Sequence, residues 1–283
     1  MLRTAEQADP APGTDPGTTA DRRPTSARLT VQRGMFAGPS ALVPHDLYAE
    51  VLSGTARRER DRVLLTAGTH VTTNTYWGRL HATYWQRWTA VPEVRVELKA
   101  SGRGRVWLMA SDTNKVARAV DVAEAGSEGA DVVLTGSVDR FVDGGGMWVE
   151  MATETDEMTV SDVRWSVAHP EPLRPTSITI CTFNRVEDCL NTLQALLDDP
   201  FARGCVRYVR VVDQGTDPLQ SRDRFADIAD AFGEQLRYQR QPNLGGAGGF
   251  TRGLFEATAG EVADDHDVLL MDDDVLLDPE IVV

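Results

Sequence analysis

The sequence predicts an all-β unit followed in the same chain by a parallel α/β unit, and three observations carry that expectation. Up to about residue 168, short alternating apolar segments are separated by glycine turns, the pattern of an antiparallel, jelly-roll-like β-sandwich. After residue 175 the pattern changes to strand, helix, strand, helix, which implies a largely parallel, right-handed sheet. Between the two lies His169-Pro-Glu-Pro-Leu-Arg-Pro175, with three prolines in seven residues. Such a stretch favours extended backbone and lets neither strand nor helix run through it. The expected organisation is therefore a disordered leader over 1–27, a β-sandwich over 28–168, a linker over 169–175 and the first part of an α/β unit over 176–283.

The leader is rich in Ala, Pro, Gly, Thr and Asp with almost no large apolar residues. It buries too little surface to offset its chain entropy. Within the β unit, Val94-Arg-Val-Glu-Leu98 and Val106-Trp-Leu-Met-Ala110 alternate with period two across the turn-forming Ser101-Gly-Arg-Gly104. Asp131–Leu134, Met147–Met151 and Val163–Val167 repeat the theme, with Asp143-Gly-Gly-Gly146 as a further turn. One stretch stands out for its aromatic density: Thr75-Tyr-Trp-Gly78 followed by Tyr84-Trp-Gln-Arg-Trp88. It reads as sandwich core or a domain interface, with a sugar-stacking platform as the alternative. His45, His70 and His81 have no ligand spacing and read as surface or hydrogen-bonded core residues.

In the second unit, Ser177–Thr182 is a first strand, and Val186, Leu190, Leu193 and Leu197 mark a helical stripe. Val206–Val212 is a second strand, Arg222–Phe232 a second helix and Leu236–Gln239 a third strand. A helix from about Phe250 to Thr258 then leads into a strand over Asp267–Asp274. The apolar run Val268–Met271 reads as a strand buried on both faces, and the sheet is expected to carry an unpaired edge.

Composition narrows the function. A net charge of −14 over 283 residues argues against a nucleic-acid groove or a polybasic membrane patch. An anionic substrate stays admissible, because a divalent metal inverts the local field. Three cysteines (Cys181, Cys189, Cys205) without CxxC spacing give neither a disulfide framework nor a zinc site, so a cytoplasmic setting is expected. No apolar run approaches the roughly 18 residues of a spanning helix, and the N-terminus lacks a signal-peptide core.

Chemistry concentrates at the strand ends of the second unit, the edge where ligands collect in open α/β sheets. Alternation along the last strand points Asp272 and Asp274 to one side and Asp273 to the other. Two carboxylates on one side form a hard oxygen half-site for Mn²⁺ or Mg²⁺. Gln214, Asp213 and Asn243 have the donors and acceptors that a nucleotide base requires, and Arg185 or a carboxylate-held metal suits its diphosphate. The segment Gln241–Phe250 lacks the Lys-Ser/Thr of a P-loop and has Thr251 where a dinucleotide fingerprint needs glycine. Its glycines let backbone approach a ligand, or let the following helix pack on the sheet, and that helix N-terminus favours an anion.

Four segments, Thr182-Phe-Asn-Arg185, Val212-Asp-Gln-Gly215, Asn243-Leu-Gly-Gly246 and Met271-Asp-Asp-Asp274, stand in the order seen in inverting glycosyltransferases of the GT-A fold. With Arg33-Gly-Met-Phe36 and the aromatic stretch, the chain resembles the N-terminal portion of the actinobacterial galactofuranosyltransferase 2 family. The resemblance implies transfer of galactofuranose, with inversion, from UDP-galactofuranose to a growing, lipid-linked cell-wall galactan. It implies that Arg185, Gln214 and Asn243 bind the donor, that Asp272 and Asp274 hold Mn²⁺ or Mg²⁺, and that Asp272 also lies near the donor. A carboxylate general base, a histidine metal ligand and the acceptor surface are implied beyond Val283, so the fragment alone is expected to be nearly inactive. Homo-oligomerisation and peripheral attachment at the inner face of the membrane are implied for the full-length protein. The competing expectations are a carbohydrate-binding module using Tyr76, Trp77, Tyr84, Trp85 and Trp88, and a related transferase with another sugar nucleotide, such as a rhamnosyltransferase.

Overall fold

The computed structural model describes residues 28–168, 174, 176–259 and 267–283. The expected leader, and all of the expected linker except Arg174, lie outside the described residues.

The antiparallel half consists of two sheets, with strands numbered in chain order. One sheet runs β3 (Ala56–Arg58), β4 (Arg62–Leu65), β11 (Met158–Ala168), β6 (Glu93–Ser101), β9 (Ala130–Ser137), with β1 (Arg28–Gly34) also paired to β11. The other runs β2 (Glu50–Ser53), β5 (His70–Thr72), β10 (Gly145–Ala152), β7 (Gly104–Asp112), β8 (Arg118–Ala125). The alternation of β6 has a direct consequence. Val94, Val96, Leu98 and Ala100 are buried, while Arg95, Glu97 and Lys99 face outward. They meet Val106, Leu108 and Ala110 of β7 in one core shared by both sheets, where each fully buried Val or Leu contributes about 1.5–3 kcal/mol. The Ser101–Gly104 turn does not close a hairpin, because β6 and β7 belong to different sheets. The chain crosses the sandwich there, with Gly102 at φ 99°.

Most of the aromatic stretch lies outside the core, the first of its two expected places. Tyr76, Trp77, Tyr84 and Trp88 are exposed, and of the five rings only Trp85 packs on the core. The second group of aromatics forms a short helix, α1 (Ala82–Trp88), which puts successive rings around a cylinder rather than on one buried face.

The second half is a parallel sheet in the order β14 (Leu236–Arg240), β13 (Val206–Asp213), β12 (Thr176–Thr182), β15 (Asp267–Asp272). One face carries Ile178, Ile180, Val209 and Val211 against α2 (Val186–Leu197) and α4 (Asp223–Phe232), with α3 (Pro200–Gly204) following α2. The other face packs on α5 (Gly245–Thr258), which begins five residues earlier than expected, so the glycine run is itself helix. The reason is close packing. A Cβ at Gly253 would stand 2.0 Å from Thr179 Cγ2, and one at Gly249 2.1 Å from Cys181 Sγ. Glycines four apart form a smooth strip along which the helix lies directly on β12. They place the helix and do not loop around a ligand.

The last strand also differs from expectation. It is an edge strand in the described sheet, in line with the expected unpaired edge, but Leu270 is exposed while Met271 is buried, so it is not covered on both faces. It ends at Asp272, and Asp273 and Asp274 lie in a turn. Strand alternation therefore does not place Asp274 beside Asp272. Among the described residues, no helix is long and apolar enough to cross a membrane.

Candidate functional site

Parallel pairing brings the C-terminal strand ends into line, with Thr182 opposite Asp213, Asp213 opposite Arg240, and Cys181 opposite Asp272. The segments singled out in the sequence thus share one edge of the sheet.

Two of the expected donor-binding residues are used within the fold. Asp213 is fully buried. Its Oδ1 accepts from Gly215 N at 2.8 Å, and its Oδ2 accepts from Leu219 N at 3.0 Å and Tyr238 OH at 2.7 Å. Those bonds fix the loop after β13, and burial with this bond to Asp213 pushes the Tyr238 phenol well up. Gln214 is also buried. Its Nε2 donates to Gly245 O at 3.0 Å, while Oε1 accepts from Leu244 N at 2.8 Å and Gln241 Nε2 at 3.1 Å. Gln214 therefore ties the end of β13 to the start of α5. Sequence reasoning expected both side chains to reach a ligand; in the structure Asp213 is enclosed and bonded within the fold, while Gln214, also bonded, lines an open cleft.

The walls enclose an open cleft of about 580 Å³ lined by Phe183, Gln214, Thr216, Arg240, Gln241 and Asn243, among others. Arg240 Nη2 donates to Gly215 O at 2.6 Å, bracing one side. Asn243 is exposed and turns its Oδ1 back to accept from Gly245 N at 2.9 Å. Asn184 escaped the sequence reading as a participant. It sits at φ 57°, a left-handed conformation that asparagine tolerates, and its Oδ1 accepts from Thr216 N at 2.9 Å and Asp217 N at 3.1 Å. Its position in the first strand-end segment was the only available signal.

On the other side of β12, Arg185 is exposed. Its guanidinium lies 3.3 Å from Asp188 and 3.8 Å from Asp274. Two residues expected to serve the diphosphate and its metal are thus neighbours. Asp272 and Asp274 are both exposed, whereas Asp273 is half-buried. Burial pushes the Asp273 carboxyl up, with the Thr182 hydroxyl offsetting this only in part. Its Oδ2 is enclosed without a well-formed hydrogen bond. Thr192 of α2, also missed from sequence, holds the turn by donating to Asp273 O at 3.1 Å.

Carboxylate oxygens are the donor type that a hard divalent cation takes. Among the described residues no three His, Cys, Asp or Glu side chains converge as a complete site. Asp272 and Asp274 are exposed carboxylates at the end of β15 and in the turn after it.

Residues 46–168 match the family described as Galactofuranosyltransferase 2 N-terminal, and residues 172–283 match Glycosyltransferase like family 2. The chain is 34% identical over 242 residues to Galactofuranosyltransferase GlfT2 of Mycolicibacterium smegmatis, an alignment covering 83% of this chain and 37% of that protein. It is 32% identical over 242 residues to the protein of the same name in Mycobacterium tuberculosis, covering 83% and 38%. The chain thus spans well under half the length of these curated relatives. A solved family 29 carbohydrate-binding module aligns at 11% identity over 50% of this chain and 88% of its own, with a TM-score of 0.32.

Proposed function

We propose, from the match of residues 46–168 to the galactofuranosyltransferase 2 N-terminal family and of residues 172–283 to glycosyltransferase like family 2, that the chain is the donor-binding portion of a galactofuranosyltransferase. Its donor is UDP-galactofuranose, its acceptor a growing galactan chain, and transfer proceeds with inversion at the anomeric carbon. The observation that carries the reading is the approach of Arg185 to Asp274, at 3.8 Å. A cation from the end of the first parallel strand and a carboxylate following the last one meet at the edge where a diphosphate would lie.

In this reading the nucleoside occupies the cleft between Phe183 and Asn243, against walls set by Asp213, Gln214 and Asn184. Arg185 takes a phosphate oxygen and Asp272 lies near the donor sugar. Asp272 and Asp274 hold Mn²⁺ or Mg²⁺, whose chemistry when bound is to stabilise negative charge on the departing diphosphate. The acceptor-activating base is assigned to no residue of this chain. The chain's own contribution is binding and orientation, the part of catalysis that positions the anomeric carbon.

Calorimetric titration with UDP tests the reading. We expect binding that requires Mn²⁺ or Mg²⁺ and is lost in Asp274→Asn and Asp272→Asn while the melting temperature holds. A folded protein that takes up no UDP at any metal concentration would overturn it. The exposure of Tyr76, Trp77, Tyr84 and Trp88 favours a second reading, a glycan-stacking surface on the antiparallel half. Metal-independent binding of an oligosaccharide, lost in Trp77→Ala and Trp88→Ala, would support it.

A further inference from the structure

The segment that leaves the acidic turn is gripped by the antiparallel half. Asp278 caps the final helical turn by accepting from Glu280 N at 3.0 Å. The same carboxylate accepts from Tyr48 OH at 2.5 Å and from Arg60. Two residues on, Glu280 accepts from Arg33 N at 2.5 Å and from Arg33 Nε at 2.7 Å. The other end of the Arg33 fork takes Asp199, the cap of α3, at 2.7 Å and 3.1 Å. Phe201 of α3 lies beneath the Arg33 guanidinium at 4.9 Å. Three side chains from the first half thus hold a pair of carboxylates four and six residues beyond Asp274.

These contacts are built to position. Planar, bidentate guanidinium–carboxylate pairing fixes direction as well as distance, and the pairs are largely enclosed, with Arg33, Asp199 and Glu280 side chains 15–17% exposed. Asp274 itself is weakly held, since its ion pair with Arg185 spans 3.8 Å on exposed side chains. Its placement depends on its flanks. On one flank Thr192 pins the backbone of Asp273, and on the other Leu277 is buried in the second core and Asp278 and Glu280 are clamped.

We propose that Arg33, Tyr48 and Arg60 are positioning residues for the acidic turn, so that the antiparallel half sets the geometry of the diphosphate site without touching the donor. The inference rests on the donor-binding reading for its functional consequence, but its structural core stands apart from that reading. Without the clamp, residues 275–282 keep their anchor at Leu277 and lose the one at Asp278 and Glu280, and the turn opens more often.

The test uses the full chain with Tyr48→Phe, Arg33→Met and Arg33→Lys. Amide hydrogen exchange without ligand is read at Asp273–Leu277 and, as controls, in α4 and β6. A hydrogen bond to a charged group supports exchange on the order of tenfold faster at the turn in Tyr48→Phe and Arg33→Met, with the controls unchanged. Metal-dependent UDP affinity should fall severalfold in both. Arg33→Lys, which keeps the charge but not the fork, should recover only part of the loss. Unchanged exchange at Asp273–Leu277 alongside a lowered melting temperature would overturn the proposal, because the clamp would then serve the fold alone. Should Arg33→Met not fold, Tyr48→Phe, which removes a single oxygen, decides the matter by itself. Absence of UDP binding by the wild-type chain would defeat the donor reading and leave the exchange result to decide the positioning.

Discussion

The Thr192 hydroxyl reaches the Asp273 carbonyl oxygen at 3.1 Å, joining the middle of α2 to the acidic turn. The same helix begins immediately after Arg185, so one rigid element sets both the cation and the backbone carrying the carboxylates. Thr192→Val preserves shape and removes the donor. Removing the donor to a part-buried carbonyl costs about 1 kcal/mol, read as a lowered denaturation midpoint. Metal-dependent UDP affinity should fall with it, and Thr192→Ser should recover both.

Asn184 makes a second prediction. Its carbonyl oxygen fastens Thr216 and Asp217 while its backbone stays left-handed. Asn184→Ala loses the acceptor and keeps the strain, so it should cost about 1–3 kcal/mol in chemical denaturation. Asn184→Gly relieves the strain but not the lost bonds and should fall between alanine and wild type. Asn184→Asp, which retains an acceptor and tolerates the same φ, should lie closest to wild type.

Much of this was legible in the sequence wherever a pattern is local. Period-two alternation found β6 and β7, and helical spacing found α2 to the residue, because burial on one face fixes those periods. The parallel order followed from alternating strands and helices, and it brings the four strand-end segments together. What the sequence concealed was nonlocal. Nothing in Ser101–Gly104 shows that it crosses between sheets rather than closing a hairpin. The glycines before Phe250 look like a loop by propensity, yet their lack of Cβ atoms is what lets α5 lie on Thr179 and Cys181. Asp213 and Gln214 carry the right groups for a base, but burial and their partners commit them to shaping the cleft. Leu270 is as apolar as a central strand requires and is still exposed among the described residues, where β15 is the last strand of the sheet.

The α5 packing yields a third prediction. Gly253→Ala would put a methyl 2.0 Å from Thr179 Cγ2, and Thr179 is fully buried and cannot retreat. Overpacking of this kind costs typically about 1–3 kcal/mol and outweighs alanine's better helix propensity of about 1 kcal/mol. The melting temperature should therefore drop. Gly246→Ala, where a Cβ meets open space, should raise it slightly. The compensating pair Gly253→Ala with Thr179→Ser, which removes the opposing methyl, should restore most of the loss.

The Arg33–Asp199 pair gives the chain a specific acid sensitivity. Burial alone would raise the Asp199 carboxyl, but its hydrogen bond and charge pairing with Arg33, together with Ala202 N, hold it below the ordinary value of 3.8. A carboxyl whose folded pKa is depressed contributes stability fully present above the unfolded pKa and lost as pH falls through the folded one. Glu280, on the same guanidinium, shifts oppositely, raised by burial against the pull of Arg33, so it takes up its proton earlier on acidification. Asp199→Asn separates the two, because asparagine also caps helices well and keeps an acceptor for Ala202 N. The variant should melt below wild type near neutral pH, and the gap should close as pH is lowered past 3.8 and the wild-type pair loses its charge. A gap that stays constant across the titration would mean the pair contributes shape and hydrogen bonding but no charge-dependent stability.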